Sequence, residues 1–533
     1  MNGRVRAAVI DSVLRRDGKS DEEVFVLARK LGFAGIEIAL GRDDVRTDAC
    51  ARLASLRRVQ EVVGLRIPSL ILSDHAADGG IADANPDVRR RSKHDVRVAV
   101  ALAAELGADL VLVPFFNRGE LDGEAGFARC ADSFSALCAE AAGAGVTLCH
   151  EGTLPAREVR RLAERVGSAA FGCYFDLANP LVQGLDPPTE LRALGDLVQS
   201  VHFKESRTRR GDTRPGFGCV DYAECARALD EIGYDGWLVL ETPPSPPALV
   251  ARDLSFARTF FPSIEPSVPW PRLGGFTHEL GAPWRDLAAL CRKLELQTVQ
   301  LSRALLDECL DDPDPARASG VDISSIGAYR NLIAPNERER RENLDYVSRC
   351  LELAPSIGAQ AVSTHAGTRH PTREWADVPA NAGEDAWTAL LDAVELLLPA
   401  AESAGTVLAL EGSVLSVLRT ISRTIELTDR FPSPHLQLVC DPYNYVSSDL
   451  LPAQERVALG FLDRFEHAFA VAHVKDVGPE GAEVSTPAVG TGVFVQQPYF
   501  EFLRTRRPDL PLILEHLTPE QIPAARRIVT STA

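Results

Sequence analysis

"FGCYFDLANP", residues 171–180, is an apolar run that ends on a carboxylate, Asp176, and breaks at Asn179-Pro180. "LQLVCDPYNY", residues 436–445, does the same with Asp441 and Asn444. An acid just past a strand is ordinarily a turn former or a helix N-cap. The same arrangement twice in one chain points instead to an internal repeat.

Working outward from Asp176, short apolar runs alternate with amphipathic segments. "RVRAAVI" (4–10), "FAGIEIAL" (33–40), "LRIPSLILS" (65–73), "ADLVLVPFF" (108–116) and "GVTLCHEG" (145–152) precede it, and "VQSVHFKE" (198–205) and "DGWLVLET" (235–242) follow. Helical patterns begin near Asp21 and run over Thr47–Val63, 87–106 and 124–144. Near-continuous apolar strands alternating with helices predict a parallel sheet with its outer face covered. Eight such units are the content of a (β/α)8 TIM barrel.

A Pro-rich stretch, "FPSIEPSVPWP" (261–271), interrupts the pattern and reads as a boundary. Eight further runs follow: 273–280, 296–302, 321–328, 359–367, 405–413, 436–442, 469–476 and 510–517. The expectation is α/β, two tandem TIM barrels over 1–262 and 272–533, joined by a linker at 263–271. A doubly wound sheet is the alternative, but neither half opens on a Gly-x-Gly-x-x-Gly phosphate loop.

The bulk composition excludes several classes. The chain has 533 residues, 45% of them hydrophobic and 25% charged, as in ordinary globular proteins. A net charge of −18 opposes nucleic-acid binding, which requires clustered cations. No apolar run approaches a bilayer-spanning length, and the N-terminus lacks a signal-peptide pattern. Eleven cysteines without CxxC pairs fit reduced thiols in a cytoplasmic protein better than a disulfide framework. The expected partners therefore include no nucleic acid and no membrane.

In TIM barrels the chemistry lies where strands end. The last four strands of the first half end in Glu151, Asp176, His202 and Glu241; those of the second end in Glu411, Asp441, His473 and Glu515. Independent caps would rarely repeat one order of residue types. Three carboxylates and one imidazole facing a common centre repel without a cation, and this donor set suits Mn²⁺ or Mg²⁺, with Co²⁺, Fe²⁺ and Zn²⁺ as alternatives. Such a metal can polarise a carbonyl and stabilise an enediolate while a carboxylate moves a proton.

These residues resemble those of the xylose-isomerase-like barrel superfamily of sugar and sugar-phosphate isomerases and epimerases, once per half. "GFAGIEIA" looks like its second-strand segment, with Glu37 at the acidic position and Gln300 in the other half. "VHFKE" and "AHVKD" look like its His-x-Lys-acid segment, which places Lys204 and Lys475 beside the metal. "RPGFGCVDY" and "AVGTGVFVQQPYF" look like its Gly-x-Gly loop. The resemblance implies that Glu151, Glu241, Glu411 and Glu515 are both ligands and proton-transfer groups, and that the halves pack as subunits of related homodimers do, as a pseudo-dimer open to further oligomerisation. It implies a small polyhydroxylated molecule as substrate, and as activity an isomerase or epimerase first and a dehydratase of inosose or dehydroshikimate type second. An endonuclease-IV-like enzyme and a non-catalytic binding protein are remoter alternatives, the former opposed by the acidic charge.

One departure stands in both halves. Epimerases of the superfamily commonly carry histidine three residues after the metal aspartate, where this chain has Asn179 and Asn444. Asparagine hydrogen-bonds but supplies no proton near neutral pH. Further substrate-contact candidates are His75, Glu37, Lys204 and Arg207 (with Arg209, Arg210 and Arg214 in the same loop) in the first half. In the second they are Lys475, His365 and His370.

Overall fold

The computed structural model describes residues 5–15, 18–264 and 271–531. The chain divides into two compact units, 1–267 and 268–533. The predicted linker, 263–271, straddles this division, and its residues 265–270 lie outside the described ones.

The first unit is a closed parallel barrel of β1 (Arg6–Ile10), β2 (Gly35–Leu40), β3 (Ser69–Leu72), β4 (Leu110–Phe115), β5 (Thr147–Gly152), β6 (Phe171–Asp176), β7 (Val198–Phe203) and β8 (Trp237–Leu240). The second is an equivalent barrel of β9 (Leu273–Phe276), β10 (Thr298–Ser302), β11 (Ile323–Gly327), β12 (Ala361–His365), β13 (Val407–Glu411), β14 (Leu436–Cys440), β15 (Phe469–Val474) and β16 (Leu512–Leu514). Each strand lies within an apolar run picked out above. β8 closes on β1, and β16 on β9.

Each barrel has its own hydrophobic core, because every strand buries one face inward and the other under helices. β4, β6 and β13 are buried at every residue, which is why they read as continuous apolar runs rather than alternating ones. Helices 86–106 and 384–404 end at Gly107 and Gly405, both in the left-handed region where glycine carries no Cβ penalty.

Two strand ends differ from the sequence reading. The run from 65 makes an isolated bridge to β2 at Arg66 and a continuous ladder only from Ser69, with Pro68, which has no N–H to donate, between them. The run 273–280 stops at Phe276, and Thr277–Leu280 turns into a short helix. There Thr277 Oγ1 takes the Ser302 amide at 2.9 Å, diverting the chain from the sheet.

Candidate metal centres at the barrel mouths

In the first barrel Glu151, Asp176 and His202 stand at the C-terminal ends of β5, β6 and β7, and Glu241 follows β8. One ligand atom of each lies within 4.8 Å of the others. His202 Nδ1 is 3.1 Å from Glu151 Oε1 and 3.0 Å from Glu241 Oε2. Lys204, two residues on and therefore on the same face of the strand, puts Nζ 2.8 Å from Glu241 Oε1 and 3.4 Å from Asp176 Oδ2.

Asp176 divides its two oxygens between two tasks. Oδ1 accepts the amides of Ala178 and Asn179 at 2.7 and 2.9 Å, a turn-capping pattern. Oδ2 is buried and makes no hydrogen bond. The turn-former and ligand readings of "FDLAN" therefore describe two atoms of one side chain.

The second barrel repeats the arrangement more loosely. Glu411, Asp441 and His473 bring ligand atoms within 4.8 Å of one another. His473 Nδ1 lies 3.7 Å from Glu411 Oε2, 3.6 Å from Asp441 Oδ2 and 3.7 Å from Glu515 Oε2. Lys475 Nζ is 2.8 Å from both Asp441 Oδ2 and Glu515 Oε2. Asn444 Nδ2 donates to Glu411 Oε1 at 2.6 Å and to Asp441 Oδ2 at 3.1 Å, while Asn179 Nδ2 reaches Glu151 Oε1 only at 3.5 Å.

The donor sets fit a divalent cation. Glu411 Oε2, Asp441 Oδ1 and His473 Nδ1 are buried and lack hydrogen-bond partners, a costly state that a cation at their centre would relieve. Carboxylate oxygens with a single imidazole nitrogen are the ligands of hard or borderline ions.

Electrostatics split the glutamates of each site. Burial pushes Glu151 up to about 6 against the pull of His202, whereas Lys204 and His202 overcome the same burial at Glu241 and hold it low. In the second barrel burial lifts Glu411 to about 7, while Lys475 and His473 outweigh it at Glu515, which falls. Asp441 is held down to about 2, chiefly by Lys475 against burial. Burial opposes protonation of His202, but Glu241, Glu151 and Glu37 outweigh it and raise the imidazole well above its ordinary value. Unequal environments for paired carboxylates are how one site keeps one acid and one base.

Glu37 is not at the mouth. It is fully buried behind His202, with Oε1 2.9 Å from His202 Nε2 and Oε2 accepting from Tyr174 OH at 2.6 Å and from Ser69 Oγ. A carboxylate on the far nitrogen fixes the ring so that Nδ1 faces the ligand cluster. This is a positioning geometry rather than the expected substrate contact, because both oxygens are already engaged below the mouth. Gln300 occupies the matching place, with Oε1 3.1 Å from His473 Nε2.

The His-x-Lys-acid and Gly-x-Gly segments form one device. Glu205 accepts the amides of Ser206, Gly216, Cys219 and Val220, and Asp476 those of Val477, Gly490 and Phe494. A Cβ on Gly218 would fall 2.2 Å from Glu205 Oε1, and one on Gly492 2.5 Å from Asp476 Oδ1. The acid thus pins the strand 7–8 loop, which must carry glycine to approach it.

Other candidates are placed as follows. Arg207 donates through Nε and Nη2 to the Phe217 carbonyl, Arg214 is buried against Asp253, and Arg210 stacks over Phe116 at 4.7 Å. The backbone amide of Arg209 donates to Asp212 within this loop. His75 Nε2 accepts the Ile81 amide, and His370 Nδ1 those of Thr372 and Arg373; both serve to shape loops. His365 is fully buried on β12, directly opposite Glu411 in register. Neither of its ring nitrogens has a hydrogen-bond partner, and it stacks on Trp375 with ring centroids 4.5 Å apart. Burial lowers it to about 3, so it is neutral. Tyr329 escaped the sequence reading: its hydroxyl lies 3.5 Å from His473 Nε2 and from Gln300 Nε2, and its only signal is a position two residues beyond β11.

Paired closed barrels, each with an acid–histidine cluster where its strands end, define a tandem (β/α)8 protein with two candidate metal centres. The sequence profile of the xylose isomerase-like TIM barrel family matches residues 25–260 and again 288–531, and the chain belongs to that family. It is 32% identical over 187 residues to a 2-epi-5-epi-valiolone 7-phosphate 2-epimerase of Actinoplanes sp., covering 34% of this chain and 66% of that protein. It is 26% identical over 236 residues to a putative L-ribulose-5-phosphate 3-epimerase of Escherichia coli, covering 41% of this chain and 82% of that one. An inosose dehydratase of Geobacillus kaustophilus is 30% identical over 129 residues, 20% of this chain and 41% of the relative. The chain therefore spans just under two thirds of the first relative and less than half of the dehydratase. Among the described residues no helix is long and apolar enough to cross a membrane.

Proposed function

We propose that the chain is a divalent-metal-dependent isomerase or epimerase of sugar-like polyhydroxy carbonyl compounds. The observation that carries this reading is the convergence of Glu151, Asp176, His202 and Glu241 within 4.8 Å, with Glu411, Asp441 and His473 repeating it. Glu151, Asp176, His202 and Glu241 would hold the ion in one barrel, and Glu411, Asp441, His473 and Glu515 in the other; Mn²⁺ is the ion to test first. A bound ion supplies Lewis acidity that polarises the substrate carbonyl and acidifies the neighbouring C–H.

The chain's own groups then handle the proton. Glu151 and Glu241 approach from different strands, so one removes a proton from the carbon beside the carbonyl and the other returns it from the opposite face. Glu411 and Glu515 have the same relation in the second barrel. Lys204 and Lys475 hold the strand-8 glutamate ionised beside its partner. The names of the two epimerase relatives support this choice of reaction.

A dehydratase is the second reading, favoured by Asn179 and Asn444 and by the dehydratase relatives. An amide beside the base orients a substrate hydroxyl without protonating it. The deciding experiment incubates the Mn²⁺-loaded protein with ketoses, ketose phosphates and inososes in D₂O. Deuterium uptake with no loss of water supports the isomerase; loss of one water supports the dehydratase. No exchange and no product with any of them, or turnover unchanged in Glu151→Gln and Glu411→Gln together, ends the proposal.

A further inference from the structure

The two histidines are held in the same pose by different chemistry. His202 Nε2 meets the Glu37 carboxylate at 2.9 Å; His473 Nε2 meets the Gln300 amide oxygen at 3.1 Å. These residues occupy corresponding positions, since Glu37 pairs with Ile10 at the end of β1 and Gln300 with Phe276 at the end of β9. We propose that this exchange grades the two metal centres, so that the first barrel holds its ion more tightly than the second, an inference that rests on the metal-site reading above.

Two independent observations support the direction. A carboxylate on the far side of an imidazole makes it a more basic ligand than an amide does, and replacing such partners typically changes metal affinity about 10–100-fold. The lysines add to this: each faces three carboxylates, Glu241, Asp176 and Glu151 for Lys204 and Asp441, Glu515 and Glu411 for Lys475, but at different range. Lys475 also lies closer to the ligands, 2.8 Å from two of their carboxylates, where Lys204 makes one contact at 2.8 Å and one at 3.4 Å. Its ammonium competes more directly with an entering cation.

The second barrel retains a place for the missing acid. Ser69 donates to Glu37 in the first barrel. Ser325, opposite Gln300 in register, is fully buried and its Oγ has no hydrogen-bond partner. Gln300→Glu would find a donor already in position, so the exchange is testable as a gain as well as a loss.

The experiment titrates Mn²⁺ into the metal-free full-length chain, with free Mn²⁺ followed by electron paramagnetic resonance and heat by calorimetry. Two classes separated about 10–100-fold are expected, the tighter lost in Asp176→Asn and the weaker in Asp441→Asn. Glu37→Gln should weaken the tight class toward the other, and Gln300→Glu should tighten the weak one. The second variant decides the matter if Glu37→Gln fails to fold. Equal classes in the wild type, loss of the tighter class in Asp441→Asn, or no tightening in Gln300→Glu overturns the inference while leaving two metal centres intact. No Mn²⁺ bound at all would overturn the metal-site reading itself.

Discussion

The two barrels carry the same ligand order on the same strands, with lysine, asparagine and the acid-pinned loop repeated beside it, yet they differ in what lies behind and around the histidine. In the first, Glu37, Tyr174 and Ser69 form a closed network under His202. In the second, Gln300 and Tyr329 lie around His473 at longer range, and His365 and Trp375 face one another above β12. The candidate ligands are repeated, whereas the groups behind the histidine and on the neighbouring strands have diverged. Such a pattern fits one chemistry applied to two substrates.

The largest effects should come from the strand-5 glutamates. Removing a proton-transfer group costs about 10²–10⁴-fold in turnover. Glu151→Gln should abolish one substrate's exchange in D₂O and leave the other's, with Glu411→Gln doing the converse. If Glu411→Gln alone removes all turnover and Glu151→Gln none, the first barrel is structural and the comparison of two working sites collapses.

The lysines come next. Lys475 is only 4% exposed and holds one buried carboxylate, Asp441, and one largely buried, Glu515, so breaking that network should cost the metal-free second barrel about 3–5 kcal/mol. Lys204 has one close partner, Glu241, which is 27% exposed, so Lys204→Met should cost less. Denaturant unfolding in chelator should rank Lys475→Met below Lys204→Met in stability, with added Mn²⁺ narrowing the gap. Equal losses would show that the tighter lysine geometry has no energetic consequence.

His365 sharpens the comparison at the level of substrate. A buried neutral imidazole with no partner is expected to meet one when a polyhydroxylated ligand enters, a hydrogen bond worth about 1 kcal/mol or somewhat more. His365→Ala should therefore raise KM several-fold for the second barrel's substrate and leave the first barrel's untouched. An unchanged KM for both would return His365 to the core.

These differences mark where sequence reading was sufficient and where it was not. The tandem barrels and the Glu, Asp, His, Glu order were legible because strand periodicity and strand ends leave marks in the residue pattern. Glu37 was legible as an acid on the second strand, but its partner was not. Its side chain points into the barrel below the mouth, where it meets His202 at the far nitrogen and is held by Tyr174 and Ser69, and nothing in "GIEIAL" records that depth. Arg207 looked like an anion-binding side chain because a basic loop and a loop closed by its own guanidinium have the same composition. Trp375 stands 40% exposed in a loop, where no period identifies it.

The smallest effect returns to the two aspartates. Asp176 caps its turn through Oδ1 and leaves Oδ2 for the centre. Asp441 is followed by Pro442, which has no amide to offer; its Oδ2 is engaged by side chains, those of Asn444 and Lys475, and its Oδ1 has no partner. Asparagine keeps a cap that alanine loses, at about 1 kcal/mol. Hydrogen exchange on the metal-free chain separates the cases. The Ala178 and Asn179 amides should stay protected in Asp176→Asn and become exposed in Asp176→Ala, while Asp441→Asn and Asp441→Ala should leave the amides of 443 and 444 alike. Deprotection after Asp441→Ala would mean that the second aspartate also builds its turn, and that the two barrels differ less at this strand than their bonding indicates.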